Sequence, residues 1–414
     1  MDNKDNIVYF TKAMRKTHTI LLPAMLPIHF KLLCKLLDSH GYNFEMLEND
    51  NQNIIKEGLK NVHNDTCYPA LIVIGQFLDA LKSGKYDTNK VALCMTQTGG
   101  GCRASNYISL IRKALKENGY GHIPVLSINV NNVEKHEGFK FTTQMVLQVL
   151  ISIIYADLLM WLANQTRPYE NKVGETDELL GKWESNLLED YKKVRNLRPG
   201  RIKKNIVKII KDFENINRSN IVKPKVGIVG EIYIKFSYVG NNDLEKFLHN
   251  EGCEVVLPGL LDFIIYTVDN NIQDFKLYGG KKSNLTVFFL TKQVLLYFQK
   301  TLKKLILKHS KFVPISQFEE VKALVTSDYV SHGTKMGEGW LLTGEMLELC
   351  HIGVNNIVCA QPFGCLPNHI VGRGMIKKIK ENIPMANIVA IDYDPSATRV
   401  NQENRIKLMI ANAK

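Results

Sequence analysis

The hydrophobic and polar positions in the first third of the chain alternate between short apolar runs and segments with helical spacing. The apolar runs predict strands near NIVYF, YNFEML, KVALCMT and IPVLSINV. The helical spacing predicts helices over PIHFKLLCKLLDSHG, PALIVIGQFLDALKSGK and SNYISLIRKALKENG. Alternating strands and helices with continuously apolar strands are typical of a doubly wound parallel sheet. We therefore predict an α/β domain over residues 1–139.

The next segment, residues 140–222, has mainly helical periodicity and ends shortly before Pro224. Its most apolar stretch, residues 145–163, is long enough to cross a bilayer. That stretch also contains Gln148, Ser152 and Asp157, which favour a helix buried in protein. We predict a helical connector and no membrane span.

From Lys223 the alternation of strands and helices starts again. Apolar runs in KVGIVGEIYI, CEVVLPG, NIVCA and IVAIDY predict the strands of a second domain over residues 223–414. The predicted fold class is therefore α/β, with two Rossmann-like or flavodoxin-like parallel-sheet domains joined by a helical connector.

Composition and charge narrow the class of protein. With 45% hydrophobic and 23% charged residues, the chain is typical of a soluble globular protein. A net charge of +12 is compatible with nucleic-acid binding, but the lysines alternate with apolar residues as on ordinary helix surfaces. We predict no nucleic-acid partner, whereas an acidic protein partner fits the same charge.

The N-terminal residues MDNKDNIVYF lack the basic start and apolar run of a secretory signal, so a cytoplasmic location is expected. In a reducing compartment, the eight cysteines are expected to bind metal or react rather than to form disulfides.

A triple glycine precedes Cys102 in the string TQTGGGCRASNY. A strand, a glycine loop and a helix start can hold an anion, because free backbone N–H groups and the helix dipole favour negative charge. The loop matches neither the phosphate-binding loop that ends in Lys-Ser/Thr nor the G-x-G-x-x-G fingerprint. The sequence therefore gives no support for a nucleotide.

Three cysteines, Cys67, Cys102 and Cys365, stand at predicted helix starts, where N–H groups stabilise a thiolate. Three thiolates from three separated loops suit a [4Fe-4S] cluster held between the two domains. The remaining iron would bind Cys359 or stay open. Zinc is disfavoured because no C-x-x-C pair is present. The other cysteines are predicted to be core residues, namely Cys34, Cys94, Cys253 and Cys350.

Several residues around the cysteines are candidate cofactor-binding residues. Glycines let backbone approach a cluster closely, an arginine offsets its charge, and a glutamine lies upstream of each loop cysteine. These residues are Gln97, Gly100, Gly101, Arg103, Gln361 and Gly364. Cys102 and Cys365 each lie 23 residues before a residue of the next predicted strand, Val125 and Ile388, which suggests two related half-sites.

Three further polar residues are candidate catalytic residues. Glu231 follows a predicted parallel strand, where α/β proteins collect ligands. His332 and Glu338 lie in the glycine-rich string SHGTKMGEGW before a predicted helix. The histidines that flank the cysteines, His63 and His369, are predicted to be surface or helix-capping residues.

Several long strings together resemble the 2-hydroxyacyl-CoA dehydratase and benzoyl-CoA reductase iron-sulfur superfamily. They are NDTCYPALIVIGQ, TQTGGGCRASNYI, GEGWLLTGEM, CAQPFGCLPNHIVGRGMIK and IVAIDYDPSATRVNQENRIKLM. The likeness is strongest to the C-terminal part of the large acyl-CoA dehydratase activase-related proteins, and it runs from about Ile7 to Met409.

This resemblance implies a cluster protein of strict anaerobes, with Cys67, Cys102 and Cys365 as ligands and Cys359 as a weaker candidate. It implies low-potential electrons from an ATP-hydrolysing iron-sulfur activator. That activator would be a separate protein, because the ATPase part is missing here. The resemblance further implies a homodimer.

Three activities are compatible with the resemblance: a reductase or dehydratase component acting on a thioester, a small-molecule reductase with a double-cubane [8Fe-9S] cluster, or a non-catalytic electron-transfer subunit. A double cubane would need about twice the thiols of these motifs, and could form across two chains.

Overall fold

The computed structural model describes residues 7–63, 65–96, 101–128, 136–191 and 197–413. The strands of this part of the chain form two four-stranded parallel sheets. The first sheet contains β1 (Thr19–Leu22), β2 (Asn43–Met46), β3 (Val91–Thr96) and β4 (Val125–Ile128). The second contains β5 (Lys225–Gly230), β6 (Glu254–Val256), β7 (Asn356–Pro362) and β8 (Asn387–Tyr393).

Helices surround both sheets. Those of the first half are α1 (Met14–Thr17), α2 (Pro27–Ser39), α3 (Gln52–Asn61), α4 (Tyr68–Lys82) and α5 (Tyr107–Glu117). The middle of the chain forms α6 (Thr143–Thr166), α7 (Glu175–Tyr191) and α8 (Pro199–Glu214). The second half contains α9 (Ile232–Phe236), α10 (Leu244–Asn250), α11 (Leu260–Tyr278), α12 (Lys282–His309), α13 (Phe318–Leu324), α14 (Trp340–His351), α15 (Ile376–Asn382) and α16 (Arg399–Ala411).

The two sheets have the same strand order. It is β2-β1-β3-β4 in the first sheet and β6-β5-β7-β8 in the second, with all strands parallel. The predicted α/β class with two parallel sheets is thereby confirmed. In each sheet, strands are added to one side of the first strand and then to the other, so the strand order reverses between the two central strands. The carboxyl ends of strands at such a point border the crevice where α/β proteins bind ligands.

The start of the chain differs from its prediction. NIVYF does not form a strand in its described residues, and the first strand is instead β1, the short apolar run TILL. Phe10 is buried outside the sheet, where its N–H donates to His136 Nδ1 at 3.1 Å and its carbonyl accepts from Gly138 N. Because these contacts satisfy its backbone, Phe10 needs no strand partner. Helix α3 was not among the predicted elements.

The two sheets share one hydrophobic core. Leu93 of β3, Val226 of β5 and Val358 of β7 belong to the same buried cluster. Hydrogen bonds reinforce this contact: Ser237 Oγ donates to the carbonyl of Ala24 at 2.8 Å. The carboxyl-end loops of the two sheets are therefore held close to one another.

The apolar helix α6 packs against α2, α8 and α11. By length and composition it could cross a membrane, but 72% of its most apolar window is buried inside the protein. Its Asp157 accepts hydrogen bonds from the N–H groups of Leu260 and Leu261, each at 2.8 Å, and lies 2.7 Å from His29 Nε2. The polar residues of this helix thus find protein partners, as expected of a core helix.

Candidate functional site

The three cysteines predicted as ligands lie at helix starts. Cys67 is the N-cap residue of α4, and Pro69 occupies the first turn of that helix. Cys102 follows β3 and precedes a short 3₁₀ helix, Arg103–Asn106. Cys365 follows β7 and directly precedes the helical residues Leu366 and Pro367. Two of the three thus come from the carboxyl ends of central strands.

Close backbone contacts join the loops that carry these cysteines. The N–H of Tyr68 donates to the carbonyl of Phe363 at 2.9 Å, which ties the start of α4 to the loop after β7. Gly364 has a φ of +72°, and a Cβ at this position would lie 3.1 Å from Cys67 Cα. Only glycine adopts this conformation readily and permits this approach.

A second glycine joins the other two loops. A Cβ on Gly337 would lie 3.3 Å from Pro367 Cγ and 4.0 Å from Cys102 Sγ. The loop before α14 therefore reaches both the Cys102 loop and the Cys365 loop. Together with the contact between Gly364 and Cys67, this arrangement brings all three cysteine loops to one place.

The carboxyl groups of Glu231 and Glu338 meet at the start of α9. Glu231 Oε2 accepts from the N–H of Ile234, and Glu338 Oε1 accepts from the N–H of Ile232, both at 2.9 Å. Loss of water around them raises the pKa of both carboxyl groups, and repulsion by Glu338 raises the pKa of Glu231 further. Both predicted catalytic glutamates thus lie together in an environment that favours a bound proton.

These carboxyl groups lie within electrostatic reach of the thiols. Burial is the largest cause of the raised pKa of each thiol; Glu231 raises the pKa of Cys67, Cys102 and Cys365 further, and Glu338 does so for the last two. Such mutual effects require proximity. Two carboxyl groups and three thiols from both halves of the chain therefore lie in the same region of the protein, where close contacts bring the three cysteine loops together.

The ionisation of the thiols differs from the sequence-based expectation. Burial raises the pKa of Cys102 to about 11 and also raises the pKa of Cys67 and Cys365. The expected backbone N–H groups are present and lower each pKa, but burial outweighs them. The N–H groups belong to Ala70 for Cys67, Ala104 for Cys102 and Asn368 for Cys365. In the protein alone, these thiols are therefore protonated at neutral pH.

The two halves contribute equivalent positions to the site. Cys102 follows β3 and Cys365 follows β7, which hold the same place in their sheets. The helix that leads into β3 begins after Cys67, and the helix that leads into β7 begins two residues after Glu338. Glu338 of the second half therefore occupies a position similar to that of Cys67 in the first half, with a carboxyl group in place of a thiol.

Tyr107 belongs to the site and was not predicted. Its buried Oη atom lies 3.0 Å from Cys67 Sγ. Burial raises the pKa of Tyr107 well above its usual value, so the phenol keeps its proton and can donate to the sulfur. The only sequence signal is its position five residues after Cys102, on the first turn of α5.

The glycine loop before Cys102 is described from Gly101 onward, and the predicted cofactor-binding residues Gln97 and Gly100 lie outside the described residues. The N–H of Gly101 donates to Met336 Sδ at 3.3 Å. Arg103 lowers the pKa of the Cys67 thiol by its positive charge. Arg103 therefore lies within electrostatic reach of the Cys67 thiol, and the cofactor-binding roles of Gly101 and Arg103 stay predictions.

Gln361 is fully buried at the end of β7. Its amide nitrogen contacts His369 Nδ1, and its Oε1 has no hydrogen-bond partner among the described residues. An unpartnered buried amide oxygen is costly, and such an atom often marks a place for a ligand or a bound group. Gln361 therefore remains a candidate cofactor-binding residue.

Cys359 lies inside β7 rather than at its end. It is fully buried, with its Sγ 3.9 Å from Asn368 Oδ1, and a Cβ on Gly372 would lie 3.5 Å from that sulfur. Burial raises the pKa of Cys359 to about 12, and its charged neighbours are Glu345, Asp392 and Arg373. These surroundings are those of a core cysteine.

His332 points to a different part of the molecule. Its ring packs against Trp340 with the ring centroids 4.9 Å apart, and its Nε2 lies 3.2 Å from the carbonyl of Lys322. The structure therefore places this predicted catalytic residue against α13 and α14. His63 is a surface residue beside Asp65.

The remaining cysteines, Cys34, Cys94, Cys253 and Cys350, pack in or against the hydrophobic clusters, and all eight cysteines of the chain are free thiols. Within the described ranges, no group of three or more His, Cys, Asp or Glu side chains is arranged to hold a metal ion. The three thiols do not form a ready mononuclear site. A cluster differs in that each cysteine binds a separate iron atom.

No protein-family model matches this chain, and no curated protein is significantly similar to it. The resemblance to the dehydratase and reductase superfamily thus stays a hypothesis carried by the motifs.

Proposed function

We propose that this chain is an iron-sulfur protein with a [4Fe-4S] cluster on Cys67, Cys102 and Cys365. In this proposal it receives low-potential electrons from a separate ATP-hydrolysing iron-sulfur activator and passes them to a substrate. The observation that carries the proposal is the convergence of three cysteine loops from both halves of the chain, through the close contacts of Gly364 with Cys67 and of Gly337 with Pro367 and the Cys102 sulfur. The strand order β2-β1-β3-β4 further supports a flavodoxin-like type for both sheets.

The chemistry of the donor set fits a cluster. Iron-sulfur clusters take cysteine thiolates, and hydrogen bonds to the sulfurs tune them. Each thiol here has a backbone N–H near it, and Cys67 also has the phenol of Tyr107. Although burial keeps the metal-free thiols protonated, coordination deprotonates a thiol outright. The raised pKa values therefore make metal loading pH-dependent without preventing it.

When bound, the cluster would supply one electron at a time at low potential. The chain itself would supply a proton, because Glu231 and Glu338 have raised pKa values and hold a proton more tightly than exposed carboxyl groups. Lys235, whose Nζ donates to Glu345 Oε1 at 2.8 Å, lowers the pKa of both glutamates by its charge, but burial outweighs this effect. Reduction of an organic substrate consumes protons as well as electrons. The two glutamates therefore favour a reductase or dehydratase component over an electron carrier.

The deciding experiment is anaerobic purification of the chain, followed by reconstitution with ferrous iron and sulfide. About four iron atoms and four acid-labile sulfides per chain are expected, with the absorbance of a cubane cluster. The matched test is Cys102→Ala, which is expected to lose the cluster, against Cys34→Ala, which is expected to keep it. A folded protein with all thiols reactive and no iron or sulfide after reconstitution would refute the proposal.

The reductase and carrier alternatives differ in their proton coupling. For a reductase component, the midpoint potential of the reconstituted protein is expected to fall by roughly 60 mV per pH unit over part of the range. Glu338→Gln is expected to weaken this dependence, while Glu381→Gln, an exposed control, leaves it unchanged. A wild-type potential independent of pH would favour the carrier.

A further inference from the structure

Strand β8 lies at one edge of the second sheet, where β7 is its single neighbour among the described strands. The N–H of Asn387 and the carbonyl of Tyr393, at the two ends of β8, bond to the residues that flank β7. Backbone groups point to alternate sides along a strand. The N–H and carbonyl groups of Ile388 and Ala390 therefore point to the open side of the sheet.

These outward backbone groups have no partner in the part of the chain that the structure describes. Gln402 Nε2 donates to the carbonyl of Asp392 at 2.7 Å, which satisfies the far end of this edge. Within the described ranges, no backbone or side-chain group bonds to the outward groups of Ile388 and Ala390. An edge of this kind is a template for pairing with another chain.

The equivalent edge of the first sheet is closed by an arginine. Arg112 of α5 donates to the carbonyl of Val125 in β4 at 3.1 Å, across a spacing of 13 residues. The same spacing before Ile388 leads to Met375, which has no group that can donate to a carbonyl. The two sheets share their strand order but differ in this contact, so the open edge is particular to the second sheet.

A cleft of about 640 Å³ lies along this edge, and residues 388–390 line it together with side chains of α15 and α16. The two helices cover opposite faces of the sheet. Ile379 of α15 shares a buried cluster with Ile388, whereas Ile406 of α16 shares another cluster with Ile391. An extended segment laid in the cleft between them would continue the sheet by one strand.

The cleft is lined by four basic side chains and one acidic side chain, that of Glu381. The basic side chains are Arg373, Lys377, Lys380 and Arg405. Asp392 lies 2.9 Å from Arg373 and 3.7 Å from Arg405, and partly offsets their charge. Lys377 is 88% exposed and only 3.9 Å from Glu381. A positive charge therefore remains, and it lies mainly on the α15 side of the cleft.

The position of these charges distinguishes a binding cleft from a protected edge. Charged residues on an edge strand itself prevent pairing with other chains. Residues 388–391 of β8 are all apolar, and the charges stand on the helices at either side. They therefore leave the backbone of the edge open and favour a segment of opposite charge.

We propose that an extended acidic segment of a partner protein adds to β8 as a fifth strand of the second sheet. Side chains of a strand point alternately to its two faces, so acidic residues at every second position would meet Lys377 and Lys380. The proposal is independent of what the thiols bind.

Two other occupants suit the cleft less well. A second copy of this chain would bring two identical basic rims together, and these repel. A single-stranded nucleic acid binds by stacking its bases on aromatic side chains, and no aromatic residue is among those that line this cleft in the described part of the chain. A nucleic acid also does not provide the regular N–H and carbonyl groups that an open strand edge pairs with.

Fluorescence anisotropy of a labelled peptide tests the proposal. The probe is a peptide of about six residues with alternating glutamate and valine, titrated with the full chain at low salt. A dissociation constant below about 100 µM is expected. The same peptide with glutamine in place of glutamate is expected to bind at least about tenfold more weakly, because it lacks the charges that meet α15.

Backbone methylation of the peptide tests strand addition itself. Only every second N–H of an added strand faces β8. One peptide is methylated on the glutamate nitrogens and a second on the valine nitrogens. One of the two is expected to lose at least about tenfold in affinity, and the other is expected to stay within about threefold of the parent. The protein is unchanged in this comparison, and equal affinities of the two peptides would overturn the proposal.

A charge reversal locates the binding at this edge. Lys377→Glu is expected to weaken binding of the glutamate peptide at least about fivefold. Lys113→Glu on α5 is the matched control, because Lys113 lies 3.8 Å from Glu117 in the same i,i+4 arrangement. It is expected to bind as the wild type does. Unchanged binding by Lys377→Glu, or no binding by the wild type at about 1 mM, would overturn the proposal. Displacement of the peptide by an equal concentration of oligothymidylate would also overturn it and assign the cleft to a nucleic acid.

Discussion

The Cys67 thiol lies 3.0 Å from the phenol oxygen of Tyr107, and both groups are buried. Cys67 begins α4 and Tyr107 begins α5, so this contact joins two helix starts at the site. Burial raises the pKa of Cys67, and the contact with Tyr107 lowers it. The phenol is thus the side chain that most directly favours the thiolate needed for metal binding.

Removing this hydroxyl is expected to change the potential of the reconstituted protein without removing its iron. Tyr107→Phe should lower the midpoint potential by on the order of 50 mV, because hydrogen bonds to ligand sulfur stabilise the more negative, reduced state. A redox titration followed by EPR measures the change. Tyr9→Phe, on the exposed surface, serves as control. An unaltered potential in Tyr107→Phe would show that Cys67 is not a ligand.

Gly364 is expected to be necessary for the arrangement of the loops as well as for stability. Gly364→Ala forces a side chain into a positive φ and places its Cβ 3.1 Å from Cys67 Cα. Gly353→Ala has a similar φ of +83° but no atom within 4 Å of its Cβ. Both changes should lower the free energy of unfolding by about 1 kcal/mol or more. Only Gly364→Ala should reduce the iron content after reconstitution, and equal iron content in the two variants would contradict this.

The two cysteines of the second half are expected to behave differently. Cys365→Ala should lose most of the iron, because its thiol lies with Cys102 and the two glutamates. Cys359→Ala should keep the iron, because its sulfur packs against Asn368 and Gly372 inside the core. Its cost should be a loss of about 1–2 kcal/mol of stability. Iron and sulfide analysis together with urea unfolding separates the two effects; loss of iron in Cys359→Ala would make that cysteine the fourth ligand.

Glu348 is expected to make stability depend on pH. Burial raises the pKa of Glu348 from about 4.5 to about 7 in the folded protein. Its contribution to stability is therefore fully present below the unfolded pKa and is lost as the pH rises through 7. The loss between pH 4.5 and pH 8 is on the order of 3 kcal/mol.

Urea unfolding of the metal-free chain at pH 5 and pH 8 measures this change. Glu348→Gln should reduce the difference in the free energy of unfolding between the two pH values, whereas the exposed control Glu381→Gln should not. An identical pH dependence in Glu348→Gln and wild type would show that Glu348 is ionised in the folded protein.

The predictions made from the sequence succeeded where local pattern decides the structure. The helix Tyr68–Lys82 has a proline in its first turn and a continuous apolar run, so its start at Cys67 could be predicted. β3 and β7 are buried parallel strands, which apolar runs identify well. The strand predicted at NIVYF was wrong, because an apolar pattern also suits a buried segment outside a sheet, and here the N–H of Phe10 donates to the distant His136.

The sequence by itself determined the α/β class and the position of three cysteines at helix starts, because both depend on residues close together in the chain. Only the tertiary structure decided that Glu231, Glu338 and Tyr107 join those cysteines, and that Cys359 lies in the core. The tertiary structure also determines that the three thiols are protonated in the protein alone. Helix-start N–H groups act locally and lower each pKa, but desolvation depends on the whole surrounding protein, and it is the larger effect here.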